Sequence, residues 1–468
     1  MELKILYMND LHSRYEELAK IASIIKKFKD DNTLIFDAGD TTDPWRIEVI
    51  GTKGNIISDI LNYIGFNARI IGNTEGFSEK DIIGEIINSS NFPVITCNMY
   101  NMNNKKLKNL KDYVIFDVKD LKILVIGVTP AFNEFYHLFN IHIKDPIEEL
   151  KRVLSKIDNA QYDLSIIISH LGLDVDEELA VRIPNIDIII GGHSHTALNE
   201  CVIENNTIIC QAGSYGEYLG ELIIKYDFTE KRITNFENQL ISTIDYSEDP
   251  KIIEIINYNS NLAINNMSRS LYKIGFDLNH SFTEESQIGN LLADGLRDFF
   301  NSDIGIINSG VLNHGIEKGV VTKLILHEIC PSPLNPTLVE IKGSDLLLTL
   351  EKSLLQGFQL SDGAGAGFRG TFLGNIQVSK NVQIFYNPAE KPLKKIQEVK
   401  INNELLDPQK WYIAGTSDYL QRGTGYVNFG NCRNEIYRPE WLRDILEKYL
   451  KKKDYIKNAL IKRFIQNR

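Results

Sequence analysis

Leu3-Lys4-Ile5-Leu6-Tyr7-Met8 runs directly into Asn9-Asp10-Leu11-His12, and this passage decides how the N-terminal half is read. The first six residues, mostly apolar, fit a short buried strand. The same shape recurs four times. Residues 33–36 end in Asp37-Ala38-Gly39-Asp40, and residues 68–71 end in Gly72-Asn73-Thr74-Glu75. Residues 164–168 end in Ser169-His170, and residues 186–190 in Gly191-Gly192-His193-Ser194-His195. These runs, with others at 94–96, 122–128 and 207–210, alternate with amphipathic stretches at 15–29, 56–64 and 146–157, the last opened by the cap pair Asp145 and Pro146. The pattern is α/β, a sheet layered with helices. Ligands of open α/β sheets bind beyond the carboxyl ends of the strands, so the five polar ends are expected to converge on one site.

Their chemistry points to metal. Carboxylate, imidazole and amide oxygen without thiolate suit Mn²⁺, Zn²⁺ or Fe²⁺. Asp40, preceded by a Gly that lets the backbone turn sharply, is expected to bridge two ions. Two ions about 3.5–4 Å apart can hold a hydroxide and clamp a phosphoryl group for in-line attack, which predicts hydrolysis of a phosphate ester. Singly, His170 reads as a core histidine and Asp10 or Asp40 as a turn residue or helix cap. Coincidence at five strand ends favours the metal reading. His137, His142, His280 and His327 lack such neighbours and read as surface or packing residues.

The 468 residues, 43% hydrophobic and 24% charged, are those of a soluble globular protein with room for two or three domains. A net charge of −11 offers no footprint for a nucleic acid duplex. No apolar run approaches the roughly 18 residues of a membrane span, and the first ten residues do not read as an export signal. Five cysteines, scattered and without a Cys-x-x-Cys pair, argue against a disulfide framework and for a reduced, cytoplasmic protein. Residues 1–246 read as one domain, 247–270 as a polar, Asn-rich connecting helix, and 271–468 as a second domain. That domain is expected to hold a helix at 284–299, strands at 304–307 and 337–342, a helix at 343–355 and a Gly-rich loop at 361–374. The loop lacks the strand-to-helix context of a P-loop and reads as a flexible loop or lid. The basic tail, 448–468, reads as the solvated face of a final helix.

In this order, Asp10-x-His12, Gly39-Asp40, Gly72-Asn73-x-Glu75, His170 and Gly192-His193-x-His195 resemble the calcineurin-like metallophosphoesterases. Ser169-His170-Leu171-Gly172, followed by Asp174, Asp176 and Leu179, resembles the 5′-nucleotidase branch. So do Asn308-Ser309-Gly310 and Gly423-Thr424-Gly425-Tyr426 in the second half. The resemblance implies a four-layer α/β/β/α metallophosphoesterase domain followed by a C-terminal α/β 5′-nucleotidase-type substrate domain, with the active site between them and hinge motion about the connection. It implies one ion surrounded by Asp10, His12, Asp40 and His195, and another by Asp40, Asn73, His170 and His193. Asp40, Asn73 and Thr74 would form the reacting centre. The substrate side would comprise Asn308, Gly310, Asn313, Arg369, Arg422 and Tyr426, the last stacking on a base.

The chain departs from the family pattern on both the catalytic and the substrate side. The family's Gly-Asn-His-Glu stands here as Gly72-Asn73-Thr74-Glu75, and Phe77 replaces an expected acidic residue. General acid–base help is worth roughly 10²–10⁴-fold, so its loss favours substrates with good leaving groups. Thr74 can donate a hydrogen bond to phosphate but is no proton source near neutral pH. Asn313 stands where the family carries a phosphate-gripping Arg, and Asn375 stands at one of two aromatic positions. Arg369 and Arg422 are candidates to restore the charge, while His314 reads as an ordinary loop residue. The expectation is a metal-dependent phosphohydrolase of 5′-nucleotidase type, acting on a small phosphate ester such as a nucleotide, in nucleotide catabolism. The alternatives are a phosphodiesterase or nucleotide pyrophosphatase, or a weakly active metal- and nucleotide-binding module.

Overall fold

The computed structural model describes residues 1–76, 80–363, 365 and 367–467; Phe77 lies outside them. The chain divides into two compact units, Met1–Asn266 and Met267–Arg468. Among the described residues, no helix is long and apolar enough to cross a membrane.

Two sheets face each other in the first unit. One joins, in spatial order, Arg232–Ser242, Tyr218–Asp227, Glu2–Met8, Thr33–Asp37 and Ala68–Arg69. The other runs Val202–Glu204, Thr207–Cys210, Ile188–Ile190, Leu164–Ser169, Leu121–Val128 and Tyr113–Val118. Strand alternation sorts the side chains into layers. Leu3, Ile5 and Tyr7 meet Ile123, Val125, Ile166 and Ile168 between the sheets. The alternate residues Leu6 and Met8 pack on helices Tyr15–Phe28 and Asn55–Ile64, and Leu124, Ile126 and Ile167 pack on Pro146–Leu154 and Leu173–Arg182. The result is four layers, α/β/β/α. Glu2–Met8, Thr33–Asp37 and Ala68–Arg69 are mutually parallel, as are Leu121–Val128, Leu164–Ser169 and Ile188–Ile190. Their carboxyl ends therefore gather on one side of each sheet.

Helix Pro250–Met267 occupies the polar, Asn-rich stretch. It lies against the first unit, with Ile252 and Ile256 in that core and Asn259 bonded to Asp59 at 3.1 Å. The second unit is α/β as well. Its larger sheet orders Ile376–Val378, Ile304–Asn308, Trp411–Ser417, Pro336–Lys342 and Arg433–Tyr437. The buried helix Gln287–Phe300, capped by Ser286 Oγ, packs on this sheet.

Three expectations are corrected. Residues 94–96 make only isolated bridges, Val94 to Arg69 and Ile95 to Lys111. The basic tail is not one solvated helix. After Leu442–Leu450 and Lys453–Ala459 it ends in strand Phe464–Gln466, paired with Val382–Tyr386, and Arg463 is buried against Asp294 at 2.7 Å. Two cysteines read as unpaired form a disulfide. Pairing of Val202 with Ile209 sets Cys201 opposite Cys210 across a hairpin, with Cα atoms 4.9 Å apart.

Candidate metal centre

All seven side chains expected to hold metal leave the carboxyl ends of first-unit strands: Asp10 and His12 after Glu2–Met8, Asp40 after Thr33–Asp37, Asn73 just past Ala68–Arg69, and the three histidines from the second sheet. Six of them form two groups. Asp10, His12 and His195 offer ligand atoms within 4.8 Å of one another, and so do Asp40, His170 and His193. The groups abut: Asp10 Oδ1 lies 3.3 Å from His195 Nε2 and 3.8 Å from His170 Nε2, and His170 Nε2 lies 3.2 Å from Asp40 Oδ1. Five of the seven (Asp10, His12, Asp40, His193 and His195) have φ between 48° and 73°, a left-handed conformation that concentrates at functional sites when side chains adopt it.

The donor atoms are prepared for cations. Asp10 Oδ1, His170 Nε2 and Asn73 Oδ1 are sealed from solvent yet have no hydrogen-bond partner. The companion atoms of Asp10 and His170 are engaged. Asp10 Oδ2 accepts from Asn9 Nδ2 at 2.7 Å and from the His193 N–H at 2.8 Å. His170 Nδ1 lies 2.7 Å from the Ala38 carbonyl, which selects the tautomer with a lone pair on Nε2. Buried polar atoms left unpaired are costly, and two divalent cations fit these orphans. Electrostatics agree. Burial opposes the charge on Asp40, but His170 and His12 outweigh it and hold the carboxyl far below its ordinary range. Burial likewise opposes protonation of His170, yet Asp40 and Asp10 lift it to about 10.

A feature not assigned from sequence holds the loops in place. The buried Glu75 carboxylate accepts N–H bonds from Asp40, Thr41, Thr42 and Gly72 at 2.8–3.1 Å, and Arg69 Nη2 at 3.1 Å. Arg69, fully buried, also lies 3.3 Å from Asp37. This ties the Asp40 loop to the Asn73 loop. Contact is so close that a Cβ on Gly72 would fall 2.2 Å from Asp40 Oδ1.

Asp176 supports the histidine loop in the same manner. It accepts from Ser169 Oγ at 2.5 Å, and Gln211, bonded to Ser194 at 2.8 Å, lies against its other oxygen. Burial lifts its carboxyl to about 7 despite these donors. A carboxyl raised in the folded state keeps a proton that the unfolded chain has released, so its contribution to stability is lost as pH rises from about 4 to about 7. Asp176→Asn is therefore expected to flatten the fall in melting temperature between pH 5 and pH 8; identical slopes for parent and variant would refute this assignment.

Thr74 departs from the role expected of it. Its N–H donates to Asp40 Oδ1 and its hydroxyl to the Thr42 carbonyl, both at 2.8 Å, so the hydroxyl proton is committed to the loop. On the substrate side, most expected residues are structural. Tyr426 is fully buried with its hydroxyl on the Gly374 carbonyl at 2.7 Å, a core ring with no face for a base. Asn308 is buried and donates to the Leu373 carbonyl at 2.7 Å. Gly310 packs so tightly that a Cβ would lie 2.0 Å from the Phe372 carbonyl oxygen. Arg422 lies 3.2 Å from Asp418, and Arg369 donates to the Phe368 carbonyl at 2.8 Å. Asn375 is buried beside Gln377. Asn313 and His314 line an open cleft of about 1340 Å³ with His280, Phe282 and Lys318.

Comparison with known proteins gives the same division. The model of the calcineurin-like phosphoesterases matches residues 3–197, and that of the 5′-nucleotidase C-terminal domain matches residues 263–430. The chain is 27% identical over 455 residues to an uncharacterized metallophosphoesterase of Bacillus subtilis (strain 168), YunD, covering 95% of this chain and 98% of that one. It is 23% identical over 455 residues to the 5′-nucleotidase of Bos taurus, covering 84% and 77%. In fold it resembles the NAD nucleotidase of Haemophilus influenzae, with a TM-score of 0.68 at 17% identity over 100% of this chain and 97% of that one. The chain belongs to the 5′-nucleotidase family, a metallophosphoesterase domain followed by a 5′-nucleotidase C-terminal domain.

Proposed function

We propose that this member of the 5′-nucleotidase family is a two-metal phosphohydrolase acting on a nucleotide or a related phosphate ester. The observation that carries the reading is the pair of abutting Asp/His groups whose orphaned donor atoms face one another at the strand ends. Two divalent ions there would supply Lewis-acid charge to the phosphoryl oxygens and a nucleophile at neutral pH. The chain's own contribution is to fix the ligands. Asn9 and the His193 N–H hold Asp10, the Thr74 N–H holds Asp40, and Ala38 orients His170.

A second reading, phosphodiesters or pyrophosphates rather than monoesters, is favoured by Thr74. With its hydroxyl spent on Thr42 and no imidazole at that position, residue 74 brings no general acid to the leaving oxygen. Relatives bear on both readings: nucleotidases recur among them, and one, 24% identical over 494 residues, is the apyrase of Aedes aegypti.

The test is phosphate release by metal-stripped protein with Mn²⁺ added back, across AMP, ADP, ATP, a dinucleotide and bis(p-nitrophenyl) phosphate. Metal-dependent release is expected, faster on anhydrides and diesters than on AMP. Release from none of them, with two ions bound per chain, would overturn the hydrolase reading in favour of a binding module.

A further inference from the structure

Beside the ligand histidines stands a cation with no counter-charge. Arg14, exposed, immediately precedes helix Tyr15–Phe28, with its guanidinium carbon 5.7 Å from the Trp45 ring centre and 5.6 Å from that of Tyr215. Among the described residues, its side chain has no carboxylate or hydrogen-bond acceptor. Arg46 shows the contrast: it lies 5.5 Å from the same Trp45 ring, but Glu16 and Glu48 take its guanidinium at 3.2 and 3.0 Å.

Both rings flanking Arg14 are fastened to the metal-site loops. Trp45 Nε1 donates to the His12 carbonyl at 3.3 Å, and the Tyr215 N–H donates to the Asp10 carbonyl at 2.8 Å. Tyr215 has φ 57°, an uncommon conformation for an aromatic residue. Its ring lies 5.5 Å from that of His12 and 5.6 Å from that of His195, while 42% of its surface stays exposed. A guanidinium held against aromatic faces keeps its in-plane N–H groups for an oxyanion, and its fork matches phosphate in a bidentate manner. Arg14 is thus separated from the rings of His12 and His195 by the ring of Tyr215.

We propose that Arg14, framed by Trp45 and Tyr215, binds a second phosphoryl group of the substrate, so that the centre selects compounds carrying two linked phosphoryl groups over monophosphates. This rests on the reading of the centre as a phosphate-ester site. It places a cation for the substrate side on the metal-bearing unit itself, in a chain where Asn313 stands at the position of the family's phosphate-gripping Arg.

The experiment compares the non-hydrolysable phosphonate analogues of AMP and ADP by calorimetric titration of the Mn²⁺-loaded protein, its Arg14→Gln variant and its Arg14→Lys variant. Because the two ligands share adenosine, the ratio of their affinities isolates the second phosphoryl group. The parent is expected to favour the diphosphate analogue about tenfold or more, Arg14→Gln to lose that preference, and Arg14→Lys to keep part of it. A preference equal in Arg14→Gln and the parent, or no preference in the parent, overturns the proposal. The two failures are separable. Absence of turnover on every ester with the preference intact would sink the hydrolase reading alone, and turnover without the preference would sink the Arg14 assignment alone.

Discussion

Asp40→Asn is expected to lower phosphate release by about 10³-fold and to remove at least one ion per chain, read by elemental analysis of the same preparation. The substitution is nearly isosteric, and an amide oxygen can still accept from the Thr74 N–H, so the loop has reason to keep its shape. What is lost is the charge that faces His170 Nε2 at 3.2 Å from a buried position. Of the seven residues, Asp40 and Asp10 alone bring formal negative charge, and a divalent pair leans on both. Activity that survives with metal content unchanged would show that the centre lies elsewhere.

Arg69→Leu is expected to give the largest loss of stability. Asp37 and Glu75 are both fully buried, and burial already pushes their carboxyls up, Glu75 to about 7, with Arg69 the main opposing charge. Removing one member of a buried charge network typically costs about 3–5 kcal/mol, because its partners stay behind unpaired. In a unit of this size that corresponds to a fall of roughly 10 °C in melting temperature. Arg69→Lys keeps the charge without the fork and should fall between. A change under about 1 kcal/mol in Arg69→Leu would mean that the N–H bonds to Glu75 hold the loop without help.

How much of this was legible in the chain depended on how far each signal reached. The five strand ends could be read because strand and polar ending are contiguous: Met8 to Asp10, Ile168 to His170. The layers followed from alternation within single strands. The outer strand of the edge hairpin, Arg232–Ser242, is half-exposed and polar, with no apolar run to mark it. Arg463 read as part of a basic tail, since nothing nearby announces that Asp294, 169 residues earlier, neutralises it in the core. Arg69 is the same case at the site itself. One cation in an apolar run was a faint sign, and its meaning required the Asp37 and Glu75 partners together. Tyr426 failed in the opposite direction: its motif was in register, but burial is a property of the packed unit.

The two ligand groups also divide unevenly between the facing sheets. Asp10, His12 and Asp40 come from the first sheet, whereas His170, His193 and His195 come from the second, so each group straddles the seam. Ions bound there would be rivets through a joint otherwise closed by apolar contact and by a few hydrogen bonds, such as those from the His193 N–H to Asp10 and between His170 and the Ala38 carbonyl. Free metal concentration then acts on the folding equilibrium itself: mass action favours the assembled sandwich by RT ln(1 + [M]/Kd) for each ion. A chelator, by drawing the rivets, would loosen the architecture as well as silence the chemistry.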